Sequence, residues 1–201
     1  LALALNTTAV NNTAVGREAL TANTTGTSNV AVGYESLSGN TTASFNTAVG
    51  YQASFSGTTA ERNTALGYRA LYSNTGNQST AVGYTAGEDV TTGLYGTYIG
   101  YSAGANVTTG SYNVAIGRAA LITNTTGGNN TAIGTDALLV NTTASANTAV
   151  GYQSLTANTT GSANTSVGLS SLGLNTTGVQ NTAVGYYANY GNVSGNYNVT
   201  M

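Results

Sequence analysis

Seven tyrosines, Tyr34, Tyr51, Tyr68, Tyr84, Tyr101, Tyr152 and Tyr186, each follow directly after a glycine. An exposed aromatic column at constant spacing can stack against sugar rings. That makes it a candidate stripe for binding a receptor glycan. The same residues also suit half-buried packing with a wet phenol tip. Seven asparagines, Asn6, Asn23, Asn40, Asn124, Asn141, Asn158 and Asn175, each precede Thr-Thr and satisfy the Asn-x-Ser/Thr acceptor pattern. On an exposed turn of a secreted protein they are candidate glycosylation sites, although Asn-Thr-Thr-Gly is also ordinary turn chemistry. Threonine pairs such as Thr24-Thr25, Thr125-Thr126, Thr159-Thr160 and Thr176-Thr177 raise a third chemistry, the ordering of water by an ice-binding solenoid. The pairs sit in a turn, and they are broken at Asn74-Thr75-Gly76 and Asp89-Val90.

Other chemistries lack their residues. The chain has no His, Cys or Lys, which removes the common general base, the thiol nucleophile and Schiff-base catalysis. Glu88-Asp89 is the one adjacent acidic pair, and a calcium cage needs more oxygen ligands at set spacing. It reads as a solvated turn. No catalytic residue, metal site or cofactor is expected. Four arginines cannot neutralise a phosphate backbone, so no nucleic-acid partner is expected. No apolar run approaches the roughly 20 residues that span a bilayer. The opening Leu1-Ala2-Leu3-Ala4-Leu5 lacks a positive n-region and looks like part of a preceding coil. Residues 1–201 therefore read as a single repetitive segment of a longer fibre, with the repeat array over about residues 6–201.

What positions the columns is a repeat. Glycines stand at 16, 33, 50, 67, 83, 100, 117, 134, 151, 168 and 185, nine steps of 17 residues and one of 16. A fixed period of this size marks a stacked architecture. The residue before each glycine is Val, Leu or Ile in all eleven units, and the residue two before is Ala in nine of them. Threonine stands three before, except for Val30 and Val114, and asparagine stands four before in nine units. β-Branched residues with a glycine in every unit make a poor helix and a good strand. The unit is too short for a pair of helices. The sequence thus predicts an all-β parallel β-solenoid, or β-roll, of about eleven 17-residue coils. Two short strands per coil are expected, one around Thr-Ala-Val-Gly-Tyr and one near Ala-Leu, closed by the Asn-Thr-Thr-Gly turn. The 16-residue step falls at Asn74-Thr75-Gly76, where that turn has lost a residue.

Side chains alternate across a strand, so the aliphatic and alanine columns face opposite ways while both are apolar. One face can line the coil and the other needs a neighbour. This predicts a parallel homo-oligomer, with the aliphatic column carrying the packing and small residues letting a neighbour approach.

Phrases such as Asn46-Thr47-Ala48-Val49-Gly50-Tyr51-Gln52-Ala53 and Asn181-Thr182-Ala183-Val184-Gly185-Tyr186 resemble the head repeats of YadA-type trimeric adhesins. They are still more similar to repeat arrays of phage tail-fibre proteins. The resemblance implies a left-handed parallel β-roll assembled as a trimer in a virion tail fibre or cell-surface adhesin. Its role would be to project a receptor-binding tip for host or surface attachment. The adhesin repeats are shorter, and the extra residues here fall in the Asn-Thr-Thr-Gly turn. An extracellular, glycosylated cellular filament is the alternative, and the ice-binding solenoid stands outside that class.

Overall fold

A Thr-Ala-Val triplet held between asparagine and glycine has room for one short strand, and one forms in every coil. The computed structural model describes residues 1–201, with strands running from β1 (Thr13–Val15) through β4 (Thr64–Leu66), β5 (Thr80–Val82), β6 (Thr97–Ile99), β9 (Thr148–Val150) and β10 (Thr165–Val167) to β11 (Thr182–Val184) and β12 (Val199–Thr200). All twelve lie parallel in one sheet in sequence order. Thr148 pairs with Thr165, 17 residues on, whereas between β4 and β5 Thr64 pairs with Thr80. The shortened turn absorbs the missing residue and leaves the sheet in register. The chain is an all-β parallel β-solenoid of about eleven coils.

The second strand expected near Ala-Leu is absent. That segment bends instead, because alternate residues adopt left-handed backbone: Gln153 has φ 51° and Leu155 φ 52°. A side chain there costs about 1–2 kcal/mol. Leu155 is fully buried, and burying a leucine returns about 1.5–3 kcal/mol. Burial thus offsets the cost at Leu155, while half-buried Gln153 has only its backbone bond to the neighbouring coil. Rung-to-rung bonding does not need strands: of 125 backbone hydrogen bonds only 22 lie within them. Gln153 N donates to Thr135 O of the coil before and Leu155 N to Ser171 O of the coil after, each at 3.0 Å.

The stacking leaves one column no choice of residue. Gly151 has φ +132°, and a Cβ there would lie 2.5 Å from the carbonyl oxygen of Gly168 in the next coil. The glycine column therefore serves contact between coils of one chain.

The interior is thin. Alanine at the strand centre, such as Ala149, packs with the leucine column Leu20, Leu37, Leu71, Leu121, Leu138, Leu155 and Leu172 in one continuous apolar cluster. The aliphatic column before the glycine does not join it. Alternation turns those side chains outward, leaving Val15 58%, Val49 38%, Ile133 36% and Val184 42% exposed. Packing within the chain is carried by alanine and leucine.

Two asparagine ladders complete the interior. In the first, Asn141 Nδ2 donates to Asn124 Oδ1 and to Ala144 O, both at 3.0 Å. Asn158 repeats this on Asn141 at 2.9 Å, and Asn175 on Asn158 at 3.0 Å. In the second, Asn147 N donates to Asn130 Oδ1 at 3.0 Å while Asn147 Nδ2 donates to Gly161 O at 2.9 Å. A short neutral side chain with a donor and an acceptor fits both columns. Aspartate would stack like charges and lose the donor, and leucine would strand a buried carbonyl.

The first ladder breaks at Gly57, and there Asn40 Oδ1 is buried without a partner. Gly57→Asn supplies the missing amide, provided the Asn74 carbonyl, 3.1 Å from the new Cβ, gives by a few tenths of an ångström. We expect it to stabilise by about 1 kcal/mol, which raises the melting temperature of a chain this size by roughly 2–4 °C. Calorimetry that finds a lower melting temperature would contradict the ladder account.

Candidate functional site

The surface that repeats without interruption is the outer face of the sheet. Most strands send a threonine and an aliphatic residue outward, as Thr148 and Val150 do around buried Ala149 in β9, with Val30 and Val114 replacing the threonine in two of them. Aromatic residues border the strand on both sides along the chain. The tyrosine column follows it, and Phe45, Tyr95, Tyr112 and Tyr197, twelve residues after a column glycine, precede it. The preceding column escaped the sequence reading because its other members are as varied as Arg62, Gln78 and Ala146. Rung spacing of about 4.8 Å and residue rise of about 3.3 Å give this face an area of about 1,000 Å².

Tyrosines in the column stack on one another. Tyr34, Tyr51, Tyr68, Tyr84 and Tyr101 form a five-ring pile with centroids 4.9–5.3 Å apart and planes within 10°. The coil rise is itself the cause, since it equals a favourable offset-stacking distance. The Arg17 guanidinium lies 5.6 Å from the centroid of Tyr34, at the start of the pile. Ring faces inside the pile are therefore occupied by neighbouring rings, while edges and phenol tips remain open. Tyr51, inside the pile, is 45% exposed by this route, whereas Tyr101 ends the pile with a ring on one face only and is 58% exposed. Stacking a sugar on a ring face, the chemistry expected of the stripe, has no free face within the pile. Tyr152 and Tyr186 stand apart from it, because Arg118, Thr135 and Leu169 interrupt the column.

The sequon asparagines are not on the solvent side of their turn. Asn23, Asn40, Asn124, Asn141, Asn158 and Asn175 are all fully buried as rungs of the first ladder, and only Asn6 is exposed. A glycan on any of those six Nδ2 atoms is incompatible with the stack. The following threonines divide the surface role. Thr159 Oγ1 donates to Thr176 O at 3.0 Å and Thr125 Oγ1 to Thr142 O at 3.1 Å, so the first hydroxyl of the pair joins coils. The second, at Thr126, Thr160 and Thr177, is exposed. Half of the hydroxyl lattice proposed for water ordering is thus spent inside the rod.

Charged residues pair locally. Arg118 reaches both carboxylate oxygens of Asp136 at 2.8 and 2.7 Å. Glu88 meets Arg69 at 2.7 Å, and desolvation raises its pKa against the pull of Arg69. Glu88 is therefore an ion-pair partner and not a fully solvated turn residue. No pocket opens on the rod, and no helix is long and apolar enough to cross a membrane.

No protein-family model, curated protein or solved structure matches the chain.

Burial of the sequons gives a direct expectation. Expressed through a glycosylating secretory pathway, the folded protein should carry glycan at only one of the seven Asn-Thr-Thr sites, Asn6. Peptide mapping that finds occupied Asn141 or Asn158 in folded material would contradict the ladder.

Proposed function

We propose that the chain is a load-bearing segment of a multi-chain extracellular fibre, packed against further copies through the outer face of the sheet. The observation that carries this reading is the unbroken outward column of Val, Ile and Leu along eleven rungs. Left in water, an apolar face of this extent is costly. The aliphatic column, with the aromatic residues at its borders, gives further copies a continuous surface to pack against along the length of the rod. Chains lying lengthwise bring the aliphatic columns together at every rung, and parallel, in-register chains also match each coil with its own copy.

Three chains about a common axis, in a phage tail fibre or surface adhesin, is the form the repeat resemblance favours. The segment's work is then mechanical. Coil-to-coil backbone bonds resist bending and extension, and recognition of a host glycan or receptor lies with a tip that the rod holds away from its base. The tyrosine pile is assigned to the rim of the interface, where half-buried rings with wet phenols belong.

Outward and inward columns should respond differently to charge. Ile116→Asp with Val150→Asp should reduce the assembly to single chains in light scattering while retaining the β circular dichroism of the coil. Ala149→Asp, facing inward, should abolish folding. Thr160→Ser, at an exposed hydroxyl, should change neither. An assembly unaltered by the paired aspartates would overturn the interface.

A further inference from the structure

A chain of near-identical coils has a problem that ordinary domains lack. Any coil can stack on the next but one almost as well as on its true neighbour, because each column meets its own kind either way. The interior between Gly76 and Asn113 departs from the repeat in a coordinated manner. Among the eleven glycine-bearing coils the strand centre is Ala or Ser in all but one, β6, where it is Tyr98, and Tyr98 is fully buried. Its ring occupies space that three glycines leave open. A Cβ on Gly87 would lie 2.8 Å from Tyr98 Cδ2, and a Cβ on Gly96 or Gly104 would overlap the ring outright. Gly87 and Gly104 stand in the leucine column of the coils on either side of the ring, and Gly96 stands in the second asparagine column.

The polar ladder is closed off around this block. Val90 and Val107, both fully buried, replace two successive asparagines of the first ladder. Before them Asn74 satisfies itself within its shortened turn, accepting from Gly76 N at 3.0 Å and donating to Gly76 O at 2.9 Å. Beyond them Asn124 donates to Gly127 O at 2.9 Å and accepts from Asn141. No side-chain amide of the first ladder is orphaned here, in contrast to the break at Gly57.

We infer that Tyr98 with Gly87, Gly96 and Gly104 is a register lock, fixing which coil stacks on which during folding of the repeat. A slip by one whole coil sets Leu71 or Leu121 where a glycine must be, and the ring has no room beside a leucine. The regular coils on either side are then indexed from this point. The lock acts within one chain and does not depend on the fibre reading.

The test is cysteine trapping on the exposed threonines of the turn. Thr92 and Thr109 occupy equivalent places in successive coils, and Thr126 lies one coil further. A disulfide needs Cα atoms within about 7 Å, which adjacent rungs satisfy and alternate rungs do not. Refolded under oxidation with the natural core, Thr92→Cys/Thr109→Cys should cross-link fully and Thr92→Cys/Thr126→Cys only at background. The same pairs are then placed in a regularised core carrying Gly87→Leu, Gly96→Asn, Tyr98→Ala and Gly104→Leu. There the 92–126 cross-link should rise about tenfold, the ratio given by a 1.4 kcal/mol loss of pairing preference. Equal 92–126 yields in the two cores overturn the lock. So does a regularised core that fails to fold, since the account holds that those four residues restore an ordinary coil. Gly104→Leu alone, with Tyr98 retained, should collapse the 92–109 yield, and adding Tyr98→Ala should recover part of it. Full tolerance of Gly104→Leu beside the ring contradicts the inference independently.

Discussion

Each coil of this protein must lie on a copy of itself at the spacing of hydrogen-bonded strands, and the composition follows from that constraint. A side chain is admitted to a column only if it tolerates its own kind about 4.8 Å away. Glycine stacks on glycine where backbones nearly touch. Asparagine stacks on asparagine because an amide is both donor and acceptor. Tyrosine stacks on tyrosine because the rise suits its ring. Charge is scarce for the same reason: repeated at every rung it would repel itself, and four arginines and six acids are scattered singly or in local pairs.

The interior is too narrow for a conventional core. Alanine and leucine fill one side, and two polar ladders fill the rest with satisfied amides. Burying so many polar groups is tolerable only because nearly every donor finds an acceptor in its own turn or the adjacent coil. The thinness also dictates the exterior. A coil whose strand has a single inward residue, Ala149 in β9, must turn both flanking residues outward, including the aliphatic one. The apolar outer face is thus a geometrical by-product of a slim coil, and pairing with further chains is what would relieve it.

Much of this was legible from the residues alone. The 17-residue glycine period and β-branched columns gave the parallel solenoid, and the 16-residue step placed the turn. The second strand was not legible, because Ala-Leu reads as strand-forming by type while Leu155 sits in left-handed backbone that no propensity records. The asparagines misled for a related reason. Asn-Thr-Thr-Gly has the composition of an exposed turn, and one sequence cannot say that its amide points inward. A signal was present, however. Asparagine recurs at two places per coil, one of them beside the strand, where turn chemistry alone would also admit serine or aspartate. The tyrosine column was found correctly as a column. Its ring faces were lost to the stack, a consequence of rise per coil that counting positions does not show.

The central claim is that the outer sheet face packs against parallel, in-register copies. Spin labels placed one at a time at Thr47, Thr148 and Thr182, in the outward threonine column, measure this by dipolar coupling between chains. Parallel in-register packing predicts the same short interchain distance at all three sites. No coupling, or a distance that grows towards the ends of the rod as antiparallel chains require, would contradict it.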